Sequence, residues 1–389
     1  MSEEIVLLAV GDVEPRPTGQ VPESVGMDAD EQFDLVRPIL RAGDVTFGQL
    51  ETPLSNRNAP LRPGGEPRQS LDPDAGAKTL VSGGFDIMSF AGNHTSDMGP
   101  DAISDTIAAA HRHGLPLVGA GMNIGEARTP VIVERKGTRI GFVAYCSVVP
   151  LDAEATEERP GMAPLRATTR YEQFDWQPGT PPRIISEADP NDLEAMVLDI
   201  RNLRHEVDVL AVSYHWGIHF EPASIAMYQP QVAYAAIDAG ADVILGHHAH
   251  ILKPIEVYKG KPIFYSMGNF IFDASYSRMQ RWNITSFYGF DMDPELPAYG
   301  QPVDSQKTMI VKCTVVEGNV KRAAFIPCWI NRKVQPDPLP ASEPRSVEVL
   351  RYMEWMCRNQ RIPTKFVREG NEIVIDLSAQ SRTEAQLPT

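Results

Sequence analysis

Short apolar runs return at intervals along the first two-thirds of the chain. Residues 5–10, 45–50, 87–91, 137–145, 207–214 and 243–245 each read as a strand buried on both faces, because apolar residues follow one another with little polar alternation. Between them the apolar spacing changes to that of helices. Residues 30–42 place Phe33, Val36, Ile39 and Leu40 on one stripe, and residues 100–113 do the same with Ile103, Ile107 and Ala110. Residues 75–82, 192–205 and 227–239 also read as helices, and 131–134 as the hairpin partner of the 137–145 strand. Further strands are expected at 262–266 and 308–316, the latter pairing with 320–327 through Glu317-Gly318-Asn319.

Strands alternating with helices predict an α/β fold, and the later strand run adds a second sheet. The expected architecture is a layered sheet-on-sheet sandwich flanked by helices, α/β/β/α. Residues 55–74, 151–190 and 274–306 interrupt the pattern and read as loops that form lids or binding walls. Residues 335–340, rich in proline, read as a linker. The expected division is a main domain over 1–335 and a C-terminal extension over 336–389, with a short helix (346–359), a strand (372–377) and a polar tail.

Composition narrows the function classes. A formal charge of −15 argues against nucleic acid, whose binding rests on phosphate neutralisation by Lys and Arg. It leaves room for a small or oligomeric anionic substrate, because bound metal ions invert the local field. The N-terminus is acidic before its short apolar run and lacks the basic start of a signal peptide. No segment approaches the roughly 18–20 apolar residues of a membrane span, so a cytoplasmic location is expected. The four cysteines, Cys146, Cys313, Cys328 and Cys357, are scattered and read as small core hydrophobes rather than disulfides or thiolate ligands.

The chemistry-bearing residues collect at strand ends. Asp12 and Glu14 follow the first strand, Glu51 the second, Asn93 and His94 the third. His215 follows the 207–214 strand, and Gly246-His247-His248-Ala249-His250 follows the 243–245 strand. In open α/β sheets, sites form beyond the carboxyl ends of strands. Singly, each residue has a plainer reading: Asp12 as a turn residue, Glu51 as a loop carboxylate, His215 as a hydrogen-bonded core imidazole. Together they match what a pair of divalent ions needs: a bridging carboxylate that offsets the ions' repulsion, and terminal N and O ligands. Such a pair makes a hydroxide nucleophile near neutral pH, and a protonated imidazole beside it can serve the leaving group.

Six motifs in order, Gly11-Asp12, Gln49-Leu50-Glu51, Gly92-Asn93-His94, His215-Trp216-Gly217, Gly246 to His250 and Tyr265-Ser266-Met267-Gly268-Asn269-Phe270, carry a family resemblance. Over roughly residues 5–335 the chain resembles the bacterial capsule-synthesis (CapA, poly-γ-glutamate biosynthesis) family, itself similar to the calcineurin-like metallophosphoesterases. The resemblance implies two divalent metal ions, Mn, Fe or Zn, with Asp12 and His250 on the first and Asn93, His215 and His248 on the second. It implies Glu51 as the bridge, His94 as the proton donor, and His247 as a neighbour whose side chain points away. The wider superfamily has histidine at the place of Glu14, which is therefore either a further oxygen ligand or a solvent-facing carboxylate. Arg16, Arg68 and Trp216 are candidate substrate contacts, the guanidinium groups for a carboxylate or phosphate. The expected activity is hydrolysis of a phosphoester or of an amide or ester bond; the competing expectation is a non-enzymatic metal- or polymer-binding component of capsule or cell-wall synthesis.

Overall fold

Alternate residues of the first strand, Ile5–Glu14, belong to different cores. Ile5, Leu7 and Ala9 pack with the residues of a second sheet, while Leu8, Val10 and Val13 pack with helices on the other side. A strand buried on both faces needs apolar residues at consecutive positions, which is why its period-2 pattern is hidden in the sequence. The computed structural model describes residues 3–378 except 16–26, 58–69, 174, 177–178, 273–285, 287, 291, 295 and 297–298.

In the first sheet this strand runs parallel to Val45–Leu50, followed outward by Ile87–Ser89 and Leu117–Val118. Its other edge changes partner part-way. Up to Val10 it pairs antiparallel with Lys307–Val316; from Asp12 it pairs parallel with Asn269–Phe272. The change falls at Gly11, where a Cβ would lie 1.9 Å from the Gly268 carbonyl oxygen, so only glycine fits. The Asp12 amide then donates to that same oxygen at 3.0 Å.

The second sheet is centred on Val209–His215, parallel to Thr138–Cys146 on one side and Val243–His247 on the other. Lys261–Phe264 follows in parallel, and Ile255–Tyr258 and Val131–Arg135 form antiparallel edges. The sheets face one another, with the rings of Phe47 and Phe142 stacked 5.5 Å apart. Helices Pro73–Gly83 and Pro100–Arg112 cover the first sheet, and Pro190–Arg204 and Tyr228–Ala239 the second. Asp72 and Asp189 cap two of these helices by accepting from the amides two and three residues on, each followed by proline at the first helical position. The expected α/β/β/α sandwich is the observed one.

Several local expectations differ from the structure. Residues 30–42 are not one helix but a 3-10 turn, Ala29–Phe33, and a single helical turn, Arg37–Leu40. Pro38 has no N–H to continue the first turn and starts a new one instead. The 151–190 segment holds a hairpin, Ala167–Glu172 with Arg183–Ala188, and its outward strand is too polar to register as one. Within the expected linker, Pro336–Pro338 pairs antiparallel with Asn319–Ile330. Helix Pro344–Asn359 buries Val349, Met353, Met356 and Cys357 in the inter-sheet core, and Glu372–Ile375 extends the first sheet beside Asn319–Ile330. Among the described residues no helix is long and apolar enough to cross a membrane.

Candidate metal centre

Asp12, Glu51, His215, His248 and His250 are all buried, and all sit at carboxyl ends of strands from the two facing sheets. The second sheet contributes through its alternation: Tyr214 turns outward to the Pro190–Arg204 helix, where its hydroxyl meets Met196 Sδ, so His215 turns inward. His215 Nδ1 lies 3.6 Å from Glu51 Oε2, and a ligand atom from each of Asp12, Glu51 and His215 can be chosen so that all lie within 4.8 Å of one another. This cluster of carboxylates and imidazole could bind a metal ion.

Two groupings meet at Glu51. On one side, His215 Nε2 lies 2.7 Å from Asn93 Oδ1 and 3.2 Å from His248 Nδ1, so three polar atoms converge. On the other, Asp12 Oδ2 lies 3.5 Å from His250 Nδ1, and His250 Nε2 lies 3.9 Å from Glu51 Oε1. His94 Nε2 stands 3.9 Å from the same Glu51 oxygen, and its Nδ1–H donates to Asp97 Oδ2 at 2.7 Å. A carboxylate can only accept here, so the tautomer of a neutral His94 is fixed with Nε2 facing the cluster.

The loop bearing His248 and His250 is held in an unusual conformation. Their φ values are 86° and 56°, left-handed backbone that costs a non-glycine residue about 1–3 kcal/mol each. Opposing contacts hold it: the His248 amide donates to Asp12 Oδ2 at 3.3 Å, and His250 Nδ1 donates to Asn269 Oδ1 at 2.8 Å. Asn269 is in turn fixed through its Nδ2, which donates to the Tyr299 hydroxyl at 3.0 Å. Donation from Nδ1 leaves Nε2 of a neutral His250 as the lone pair aimed at Glu51.

Burial sets the electrostatics. It holds His215 and His248 well below the ordinary imidazole pKa, and like-charged imidazoles nearby add to the effect. His250 is also lowered, by burial first, against the opposing pull of Asp12. For Asp12 burial acts to raise the pKa, but its hydrogen bond with His247 and the electrostatic attraction it would exert on His247, His215 and His250 outweigh it, and the net shift is downward. Neutral His215, His248 and His250 near an ionised Asp12 are the protonation states metal ligation needs.

The model of the family described as bacterial capsule synthesis protein PGA_cap matches residues 6–274. The PGA biosynthesis protein CapA of Bacillus subtilis (strain 168) is 31% identical over 305 residues, 76% of this chain and 73% of the relative. The chain belongs to the bacterial capsule synthesis family. A second relative, the probable polyglutamine synthesis accessory protein Rv0574c of Mycobacterium tuberculosis, is 32% identical over 191 residues, 48% of this chain and 45% of its own. Among solved structures, a hypothetical protein from Thermus thermophilus is similar with a TM-score of 0.45 and 14% identity, over 86% of this chain and 100% of that one. That likeness carries no argument about function.

In this capsule-synthesis chain the structure brings together Asp12, Glu51, Asn93, His94, His215, His248 and His250. Glu14 is fully buried near the end of the first strand and acts electrostatically on His250, which removes the solvent-facing alternative. Arg16 and Arg68 lie outside the described residues. Trp216 is a correction: it is fully buried, donates its ring N–H to the Tyr265 carbonyl at 2.9 Å and stacks on Tyr214, so it offers no surface to a substrate. His247 is another. Parallel register pairs it with His215, so both point the same way, and its Nδ1 reaches within 3.4 Å of Asp12 Oδ1. Sequence reasoning missed Asp97, Asn269 and His219 as site members. The first two lie inside quoted motifs or beside assigned residues; His219, whose ring centre is 3.9 Å from that of His248, carried no signal of its own.

Proposed function

We propose that this capsule-synthesis family member is a hydrolase with a dinuclear metal centre. One observation carries the reading: His215 Nδ1 is buried with no hydrogen-bond partner among the described residues, 3.6 Å from a Glu51 carboxylate oxygen and in a cluster that also includes Asp12. Leaving such a polar atom buried and unsatisfied costs about 1–3 kcal/mol, which a ligand would relieve. Asp12 and His250 would hold one ion, Asn93, His215 and His248 the other, with Glu51 shared between them. Divalent ions held there supply Lewis acidity toward a developing oxyanion and make coordinated water acidic near neutral pH.

The remaining roles belong to the chain itself. Asp97 orients the His94 ring, and in its protonated form His94 Nε2 carries the proton for the leaving group. Asn269 and Tyr299 hold His250 in its ligating tautomer. The bond broken is a phosphoester, or an amide or ester, in a small or oligomeric anionic substrate. The word accessory in the name of the Mycobacterium relative favours a second reading, a non-enzymatic component of polymer assembly that binds metal or polymer.

A metal-reconstituted screen of phosphoester, amide, ester and lactone substrates separates the two. The hydrolase reading expects metal-dependent turnover that His94→Ala lowers by on the order of 10²–10⁴ without releasing metal. The accessory reading expects no turnover, and a His94→Ala variant that retains full function in polymer production.

A further inference from the structure

Beside the imidazole cluster stands a group of aromatic rings that the hydrolytic roles do not use. Phe220 has a φ of 55°, a conformation that bulky L residues rarely adopt. Its amide donates to the Ala249 carbonyl at 3.1 Å, which ties it to the loop bearing His248 and His250. The Phe220 ring centre lies 5.8 Å from that of His250, with the two rings close to parallel. Tyr288 and Phe290 pack edge-on against Phe220 at 5.0 and 5.3 Å. The Tyr288 hydroxyl meets His219 Nδ1 at 3.1 Å, and His219 in turn lies against His248.

Among the described residues none of the three belongs to a buried core, and each is partly exposed. They form an apolar flank on the His248–His250 side of the cluster, whereas Asn93, His94 and Asp97 contribute polar groups. A residue held in a rarely adopted conformation that places its ring beside ligating imidazoles points to a role in binding.

We infer that Phe220, Tyr288 and Phe290 form a binding wall for an aryl or similarly flat apolar group attached to the anionic centre of the substrate. The inference rests on the metal-centre reading, since the ions would hold the anionic end. Aromatic pairing with such a group is favourable in offset-stacked or edge-on geometry, and these partly exposed rings stand both edge-on and near-parallel to one another. A run of free carboxylates against the same rings would lose hydration without gaining a partner. The wall therefore selects an anion bearing a flat apolar substituent over a uniformly charged polymer.

Calorimetric titration of the Mn²⁺-loaded protein with phenylphosphonate and with methylphosphonate tests this without requiring turnover. Phenylphosphonate is expected to bind roughly five- to tenfold tighter. In Phe220→Leu and Phe290→Leu, each checked for an unchanged melting curve, the ratio should fall toward one while methylphosphonate affinity stays constant. Equal affinity of the two ligands for the parent protein overturns the wall and leaves the metal centre standing. A ratio that survives both substitutions also overturns it. Binding of neither ligand overturns the wall together with the metal-centre reading beneath it.

Discussion

Lowering the pH of the metal-free protein from 7.5 to 5.5 is expected to remove about 4 kcal/mol of its stability. Burial holds His215 and His248 well below the ordinary imidazole pKa and puts His219 at about 3. In the unfolded chain the same groups titrate near 6.5. Below that value the unfolded chain takes up protons that the folded chain does not, so the stabilisation is complete above pH 6.5 and is lost as the pH falls. Each group contributes roughly 1–1.5 kcal/mol across that window, and three together give the figure above. Set against a total of about 5–15 kcal/mol for an ordinary domain, the loss is large. Urea unfolding of chelator-treated protein at pH 7.5, 6.5 and 5.5 reads it directly, and His248→Asn should reduce the loss by about a third. A stability at pH 5.5 within about 1 kcal/mol of that at pH 7.5 would refute the claim that these imidazoles are buried neutral.

Other outcomes follow from particular contacts. His94→Ala should lower kcat by on the order of 10²–10⁴ with metal content unchanged, because the ring serves the leaving group rather than the ions. Asp97→Asn should cause a smaller loss and displace the pH–rate profile; a profile identical to the parent's would remove Asp97 as a positioning residue. In Gly11→Ala the new Cβ would meet the Gly268 oxygen at 1.9 Å and displace the strand end that carries Asp12, so Mn²⁺ affinity measured by titration should fall. Unchanged affinity would show that the strand crossing does not position Asp12. Met353→Ala should cost about 2–5 kcal/mol in urea unfolding, as for a core methionine; a cost under about 1 kcal/mol would mean that the 344–359 helix stands apart from the main core.

The layered architecture was legible because strands buried on both faces leave unmistakable apolar runs, as at Ile5–Glu14 and Val209–His215. Asp12, Glu51, Asn93, His215, His248 and His250 were legible for a related reason: polar residues immediately beyond such runs must emerge at one edge of the sandwich. What stayed hidden depends on partners distant in sequence. His247 looked as though it turned away by alternation within its own segment, but the strand persists through residue 247 and its register with His215 aims both imidazoles inward. Trp216 follows a candidate ligand, yet the Tyr214 and Tyr265 rings that enclose it come from two different strands' ends. The 336–338 segment has a linker's composition, and only its pairing with Asn319–Ile330 makes it a strand. His219 is brought against His248 by the chain that follows Gly217, where φ is 89°.

Metal stoichiometry is the most direct test of the central claim. After chelation, reconstitution with Mn²⁺ and removal of free ion, the parent protein should retain about two equivalents per chain. Asp12→Ala and His215→Ala should each fall to about one or below while keeping the parent's far-ultraviolet circular dichroism. Retention of less than one equivalent by the parent, or undiminished retention by both folded variants, would contradict the assignment of this buried cluster as a metal centre.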